Sequence, residues 1–544
     1  MRASAFRSNL YLAVDFTGVE ELEIALSPIE FAQRARRLYP GKEAVVEGDR
    51  RFTYAQFFER CDRWSAALQK LGVEQGDRVA YIAPNTHTHL EAYYAVPQTG
   101  AVLVPINYRL IPEDFAYIIN HCGAKVVCVH PDYMDSIDSI RESLADVEHY
   151  VTLSGSKNDW LEYEQLISVE SPDFNEVVIS ENDLLTINYT SGTTAQPKGV
   201  MITHRNAYLN IMNTLAHLNL TPADRYLWTL PMFHANGWTF TWLNTARGMT
   251  HVCLPKVDPE LVCKALSDEN ITMLCAAPTV LISIINAPKE VRDLIPAGVR
   301  LLTAGAPPAA TTIEVLENQF GWQLTHVYGL TETAPLISIC ESLPEHAALS
   351  AEDLAVVKAR QGVELVGSGE LRVVDDEGKE VAHDGETLGE ITVRGNVVMK
   401  GYYNDQVATD AAIKNGWFHS GDAAVVHPDG YMEIRDRFKD VIISGGENIS
   451  SVEVEGCLLR HPAVQEVAVV GMAHEKWGES PHAFVVLKQG AEASDTDLKQ
   501  HVRDHLAHFK TPQWVSFVDE LPKTATGKVQ KFVLRENKAG IARQ

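Results

Sequence analysis

The sequence predicts an α/β protein with a β-rich, barrel-like subdomain and a small α+β domain at its end. Three observations carry this reading. Strand and helix patterns alternate between residues 53 and 130, short turn-separated strands crowd together after residue 365, and a fresh set of capped helices and strands begins at residue 450. At about 150 residues per domain, a chain of 544 residues calls for more than one folding unit. Hydrophobic residues at 45% and charged residues at 22% supply a substantial core and exclude disordered or collagenous chains.

In chain order, Thr53 and Gln56 suit a capping box opening a helix whose run ends at Gly72. A strand over 78–83, a helical stretch, a strand over 101–106, a helix opening at Pro112 and a β-branched run over 125–129 follow. Strand, helix and strand at this spacing mean parallel layers. The apolar stretch 271–285 is shorter than the roughly 20 residues of a membrane span; it contains Pro278 and reads as buried core. Strands over 369–374 and 390–393, and a hairpin turning at His427-Pro-Asp-Gly430, form the β-rich part. The charged strip Asp436-Arg-Phe-Lys-Asp440 marks the domain boundary. Beyond it, Ser450 and Glu453 suit a second capping box, 466–470 and 483–487 read as strands, and Leu498, Val502 and Leu506 repeat every four residues.

Lys plus Arg total 47 against 72 Asp plus Glu, a net charge of −25 that repels nucleic acid. Any anionic ligand therefore needs a local site. The eight cysteines form no C-x-x-C pair and no structural zinc spacing, which fits a reducing compartment. The basic start has no apolar block after it and the terminal Ala542-Arg-Gln544 is no peroxisomal tripeptide, so cytoplasm is the expected location.

The strongest chemical signal is Thr190-Ser-Gly-Thr-Thr-Ala-Gln-Pro-Lys-Gly199, set between apolar runs at 184–189 and 200–202. Its glycine-freed N–H groups and hydroxyls can wrap phosphate oxygens while Lys198 neutralises their charge. It is no Walker loop, because Lys198 precedes Gly199 and a strand follows. Gly367-Ser-Gly369 lacks the third glycine of a dinucleotide fingerprint. His87 and His89 diverge by about 200° on a helix, so with Glu91 they read as solvated or core groups rather than metal ligands.

Taken together with other motifs in the same order, this loop resembles the adenylate-forming superfamily. Those motifs are Pro231-Met-Phe-His-Ala-Asn-Gly-Trp238, Tyr328-Gly-Leu-Thr-Glu332, Gly389-Glu-Ile391 with Arg394, Gly395 and Gly401, and Ser420-Gly-Asp422. Asp436-Arg-Phe-Lys-Asp440, Ser444-Gly-Gly-Glu-Asn448 and Pro522-Lys-Thr-Ala-Thr-Gly-Lys528 complete the series. Phe-His-Ala-Asn-Gly-Trp and Lys358-Ala-Arg-Gln-Gly362 resemble the branch of short- and medium-chain acyl-CoA synthetases, methylmercaptopropionate ligases and plant acyl-activating enzymes. Two departures stand out: the proline pair ending Ala304-Gly-Ala-Pro-Pro308, and Asp436 where relatives carry glycine before Arg437.

The resemblance implies a large N-terminal adenylate-forming domain, residues 1–438, and a small mobile C-terminal domain, residues 439–544. It implies ATP, Mg²⁺ and coenzyme A, an acyl-AMP intermediate and a short- to medium-chain carboxylic acid. By resemblance the catalytic residues are Lys528, which bridges carboxylate and ATP, His234, which gates the thiol tunnel, and Glu332, which holds Mg²⁺. Thr190, Ser191, Gly192, Thr193, Thr194 and Lys198 would hold phosphates. Gly305, Ala306 and Tyr328 would meet adenine, with Gly329 and Thr331 beside them, and Asp422 and Arg437 the ribose. Phe233, Trp238 and Gly305 would line the acyl pocket, Gly445 and Gly446 would pass pantetheine, and Lys439 would be the hinge. Alternatives are a stand-alone enzyme loading a carrier protein, a luciferase-like oxygenase, and an adenylate-binding regulatory protein. The expected partners are small molecules, with no nucleic acid and no membrane span; a homodimer is left open.

Overall fold

A computed structural model describes residues 23–190, 196–305, 308, 310–438, 440–444, 447–523 and 529–536. Its contacts divide the chain into two compact units. One holds the residues up to Val257 with Leu330–Leu336 and Asn396–Thr409; the other holds Asp258–Gly329, Ile337–Gly395 and the residues from Asp410.

In the first unit, eight described strands form a sheet in the order Gly401–Tyr402, Lys198–Thr203, Leu184–Thr190, Val102–Ile106, Arg78–Ile82, Ala124–Val129, His149–Thr152 and Leu161–Glu162. Its centre is parallel, and Val102–Ile106 is buried at every position, as expected of a strand covered on both faces. The helix Tyr54–Lys70 lays Phe57, Phe58, Cys61, Trp64 and Leu68 into the core and starts from the Thr53–Gln56 capping box. The helix His87–Ala95 is buried throughout. Its charged members are paired: His87 with Glu47 at 2.7 Å, Glu91 with Arg60 and with the Tyr163 hydroxyl at 2.5 Å. A second run of strands, Arg225–Trp228, Thr250–Cys253, Glu43–Glu47 and Arg50–Thr53, is parallel except for its last pair.

In the second unit, Met273–Ala276, Arg300–Thr303 and Gln323–Gly329 pair in parallel. The expected β-rich part is an antiparallel sheet of Glu370–Val374, Gly389–Arg394, Trp417–Val426 and Ile413–Lys414, with Met432–Arg437 paired to Trp417–Val426. The last part carries Val464–His474 and Gly478–Leu487 as a long hairpin, whose second strand also pairs with Ile442–Ser444 and Trp514–Phe517. Ile449, Val454, Leu458, Leu498 and Val502 form its core.

Two expectations need correction, and the charged strip gains detail. The stretch 271–285 is not uniform core: Met273–Ala276 is a buried strand, but Pro278 opens the helix Pro278–Ile285, which fully buries only Leu281 and Ile284 because a packed helix hides one stripe. The charged strip at 436–440 is partly buried. Asp436 and Asp440 are buried, Asp436 against the main-chain N–H and hydroxyl of Ser451 and Asp440 against Arg535. Ser450 does cap its helix through Glu453 N–H, yet the Glu453 carboxylate is engaged by Lys510 at 2.6 Å.

Candidate active site

The antiparallel hairpin of Leu184–Thr190 and Lys198–Thr203 places Thr190 directly across from Lys198, closing the hydroxyl-rich loop at its base. Gly199 fits there because a Cβ would come within 2.9 Å of Ile187 and 3.1 Å of the Tyr189 ring. Lys198 lines a cavity of about 340 Å³ with Tyr117, His121 and Tyr403. Its ammonium lies 5.0 Å from the centre of the Tyr402 ring. The Tyr402 hydroxyl in turn donates to Glu332 Oε1 at 2.9 Å. One tyrosine thus joins the loop lysine to the candidate metal-binding carboxylate. Glu332 and Thr331 are half-buried on the short turn Thr331–Thr333, which Asn210 fixes by donating to the carbonyls of Thr333 at 3.2 Å and Leu336 at 2.7 Å.

His234 is half-buried and leads into a run of left-handed backbone. Ala235, Asn236, Gly237, Trp238 and Thr239 all have φ between 38° and 69°. Each non-glycine residue in that region costs about 1–2 kcal/mol, so the surroundings must over-determine the turn. They do so from several directions. Asn85 Oδ1 accepts from Met232 N–H at 2.9 Å, the Tyr93 hydroxyl donates to Met232 O at 2.6 Å, and Asn188 Nδ2 donates to Phe233 O at 3.2 Å and Asn236 Oδ1 at 3.0 Å. Phe233 and Trp238 are both nearly buried, and the Phe233 ring packs edge-on to Tyr108.

In the second unit, Gly305 has φ of +91° and open space where a side chain would project. A glycine there lets a flat ligand approach the backbone. Tyr328 lies in the strand Gln323–Gly329, which ends at Gly329, and its hydroxyl donates to Asp422 Oδ2 at 2.6 Å. Arg437 Nε meets Asp422 Oδ1 at 2.7 Å. Burial, then the adjacent Asp422 charge, pushes the Tyr328 phenol far above its ordinary value and keeps it a donor. An ionised carboxylate has about four lone-pair sites, so Asp422 can still accept from a pair of neighbouring hydroxyls.

Ser191, Gly192, Thr193, Thr194, Ala306, Lys439, Gly445, Gly446 and Lys528 lie outside the described residues. The described neighbours of two of these segments pair with each other: Ser444 with Glu447, and Lys523 with Val529. Sequence reasoning missed Tyr402, Asn85, Asn188, Asn210 and the side-chain role of Asn236. An asparagine amid the apolar strand 184–190 was the one available signal, since a buried amide demands partners.

The AMP-binding enzyme family matches residues 31–403, and the AMP-binding enzyme C-terminal domain matches residues 453–528. A peroxisomal trans-cinnamate:CoA ligase of Petunia hybrida is 40% identical over 94% of this chain and 94% of its own. The 4-hydroxybutyrate–CoA ligase 2 of Metallosphaera sedula is 42% identical over 97% of each. Among solved structures, the anthranilate CoA ligase AuaEII in complex with anthranoyl-AMP has a TM-score of 0.86 at 26% identity, covering 95% of this chain and 98% of that one.

Proposed function

The chain belongs to the AMP-binding enzyme family, and on that premise we propose that it is an ATP-dependent carboxylic acid:CoA ligase acting on short- to medium-chain or related acids. The observation that carries this reading is the likeness to CoA ligases along nearly the full length of both chains.

A carboxylic acid with a pKa near 4 is already ionised at neutral pH, so its attack on the α-phosphorus of ATP needs no general base. A carboxylate oxygen forms the new P–O bond and the bond to pyrophosphate breaks. The difficulty is charge: two anions meet and a third departs. Lys198 at the base of its loop supplies one positive charge, and we assign Lys528 a second, bridging acid and nucleotide. Asp422 holds the ribose diol, with Tyr328 and Arg437 fixing its orientation. In the second step the CoA sulfur attacks the acyl carbon, the C–O bond to AMP breaks and the thiol proton leaves to solvent.

A hard divalent cation suits Glu332, a carboxylate with one oxygen steadied by Tyr402. Mg²⁺ takes one or two carboxylates together with phosphate oxygens and water. Bound there it would neutralise phosphate charge; Glu332 would hold it, with Tyr402 steadying that carboxylate. Residues 439–544 act as a domain that turns about Lys439 between the steps, exchanging Lys528 for the Gly445–Gly446 loop, and His234 gates the thiol path. A cytoplasmic location, supported by eight cysteines without a pairing pattern, completes the reading; cell fractionation tests it.

The decisive assay incubates the protein with a panel of carboxylic acids, ATP and Mg²⁺, with and without CoA, and follows pyrophosphate, AMP and thioester. Thioester and AMP appearing together only with CoA is the expected result. Oxygen consumption without CoA, or acylation of a carrier protein in its place, would replace the ligase reading.

A further inference from the structure

The helices Ser451–Leu459 and Asp495–His505 pack against each other and bring together three metal-ligating side chains, none of them given a role above. Cys457 Sγ and one ring nitrogen from each of His501 and His505 all lie within 4.8 Å of one another. The spacing explains it: residues four apart share one helix face, so both imidazoles of Asp495–His505 point the same way, toward the helix carrying Cys457.

The histidines are also prepared as ligands. His505 Nδ1 meets the His501 carbonyl at 2.7 Å, and His501 Nε2 meets the Cys457 carbonyl at 3.1 Å. A carbonyl only accepts, so in the neutral form of each ring it is that nitrogen that carries the proton and the other that offers a lone pair. A main-chain carbonyl behind the imidazole is how metal-ligating histidines are commonly oriented. His505 is exposed and leaves the site open to solvent, while His461 stacks edge-on to His501 and spends Nδ1 on Ala463 N–H.

We infer that Cys457, His501 and His505 form a binding site for one soft divalent cation of the zinc class, clamping the two helices of the C-terminal part together. Thiolate and imidazole are zinc ligands, with bonds near 2.3 and 2.0 Å, so tetrahedral closure draws the three atoms to about 3.3–3.7 Å apart. The exposed His505 ring is the group free to make that adjustment. Binding transfers the Cys457 thiol proton to solvent as the sulfur–metal bond forms. The fourth position faces water. Among the described residues no other group of three such side chains converges in this way.

The test uses the full chain, stripped with a chelator and titrated with Co²⁺ and then Zn²⁺. One Co²⁺ per chain should bind with a thiolate-to-cobalt charge-transfer band in the near ultraviolet, and Zn²⁺ should abolish it. Cys457→Ser should remove the band, and a Cys340→Ser control should keep it. His505→Gln changes only an exposed side chain and leaves the fold intact. It should weaken Co²⁺ binding by about 10–100-fold, the loss expected even for an outer partner of a metal ligand. Absence of the band in the unmodified protein, its survival in Cys457→Ser, or unchanged affinity in His505→Gln would each overturn the site.

Discussion

Asn188 and Asn236 hold each other amide to amide at 3.0 Å inside the first unit, one on the strand that leads into the hydroxyl-rich loop and the other in the left-handed turn that follows His234. Thr186 closes the arrangement, donating to Asn188 Oδ1 at 2.8 Å and accepting from Asn236 Nδ2 at 2.9 Å. The phosphate side and the thiol side of the proposed chemistry are therefore tied through buried amides, where leaving a partner unmet is costly.

Asn236→Ala frees the turn and lets His234 shift. A misplacement of about 1 Å can cost some 100-fold in rate. Thioester formation from a pre-made acyl-adenylate should slow by about 10–100-fold while adenylate formation changes less. Equal slowing of both half-reactions would show that the turn does not act through His234.

Gly237→Ala attacks the same turn from the packing side. The new methyl would sit 2.5 Å from the Trp228 ring at a φ of +58°. Overpacking and left-handed strain together should cost about 1–3 kcal/mol, read as an earlier thermal transition. An unchanged melting curve would show that the turn relaxes freely.

Removing the Tyr328 hydroxyl by Tyr328→Phe takes away one donor to the buried Asp422 charge. Hydrogen bonds to charged groups are worth about 1.5–3 kcal/mol, so KM for ATP should rise roughly 10–100-fold with KM for the acid less affected. Asp422→Ala should weaken ATP further. A pair of variants with unaltered ATP dependence would remove Asp422 from the nucleotide site.

Lys528→Ala should abolish adenylate formation far more than thioesterification of a pre-made acyl-adenylate, and Gly446→Trp should do the reverse. Measuring pyrophosphate release and thioester formation separately checks both. If each variant damages both steps alike, the two segments do not exchange roles.

Acid should destabilise the fold earlier than carboxylate titration alone predicts. Burial lowers His89, His204 and His326 from about 6.5 to about 4, and His251 to about 3. These folded values lie below the unfolded one, so the unfolded chain binds more protons in between. Their stabilisation is complete above pH 6.5 and declines as pH falls through 4, by up to about 1.4 kcal/mol per pH unit for each histidine. His87 has the opposite sign. Burial alone would lower it, but Glu164, Glu47 and Glu91 raise it to about 9, so its contribution is full below pH 6.5 and fades as pH rises through 9. Urea midpoints measured from pH 4 to 10 should fall at both ends. A flat profile between pH 6.5 and 4.5 would contradict the buried neutral histidines.

The sequence by itself determined what local physics controls. The Thr53 capping box, the helix at Pro112, the β-branched strands and the turn at His427 to Gly430 all depend on residues within a few positions of each other. The ordered motifs likewise singled out the loop, the Tyr328–Glu332 segment and Asp422 as the expected site. Only the tertiary structure decided which side chains meet. Tyr402 and Glu332 are 70 residues apart, Tyr328 and Asp422 are 94 apart, and Asn188 and Asn236 are 48 apart. No periodicity or propensity encodes such pairs, because they form when separate elements pack. The left-handed turn after His234 was hidden for a related reason: Asn236 and Gly237 adopt that conformation readily, but Ala235, Trp238 and Thr239 do not, and the surrounding amides and rings impose it on them. The convergence of Cys457 with His501 and His505 depends in the same way on one helix packing against another.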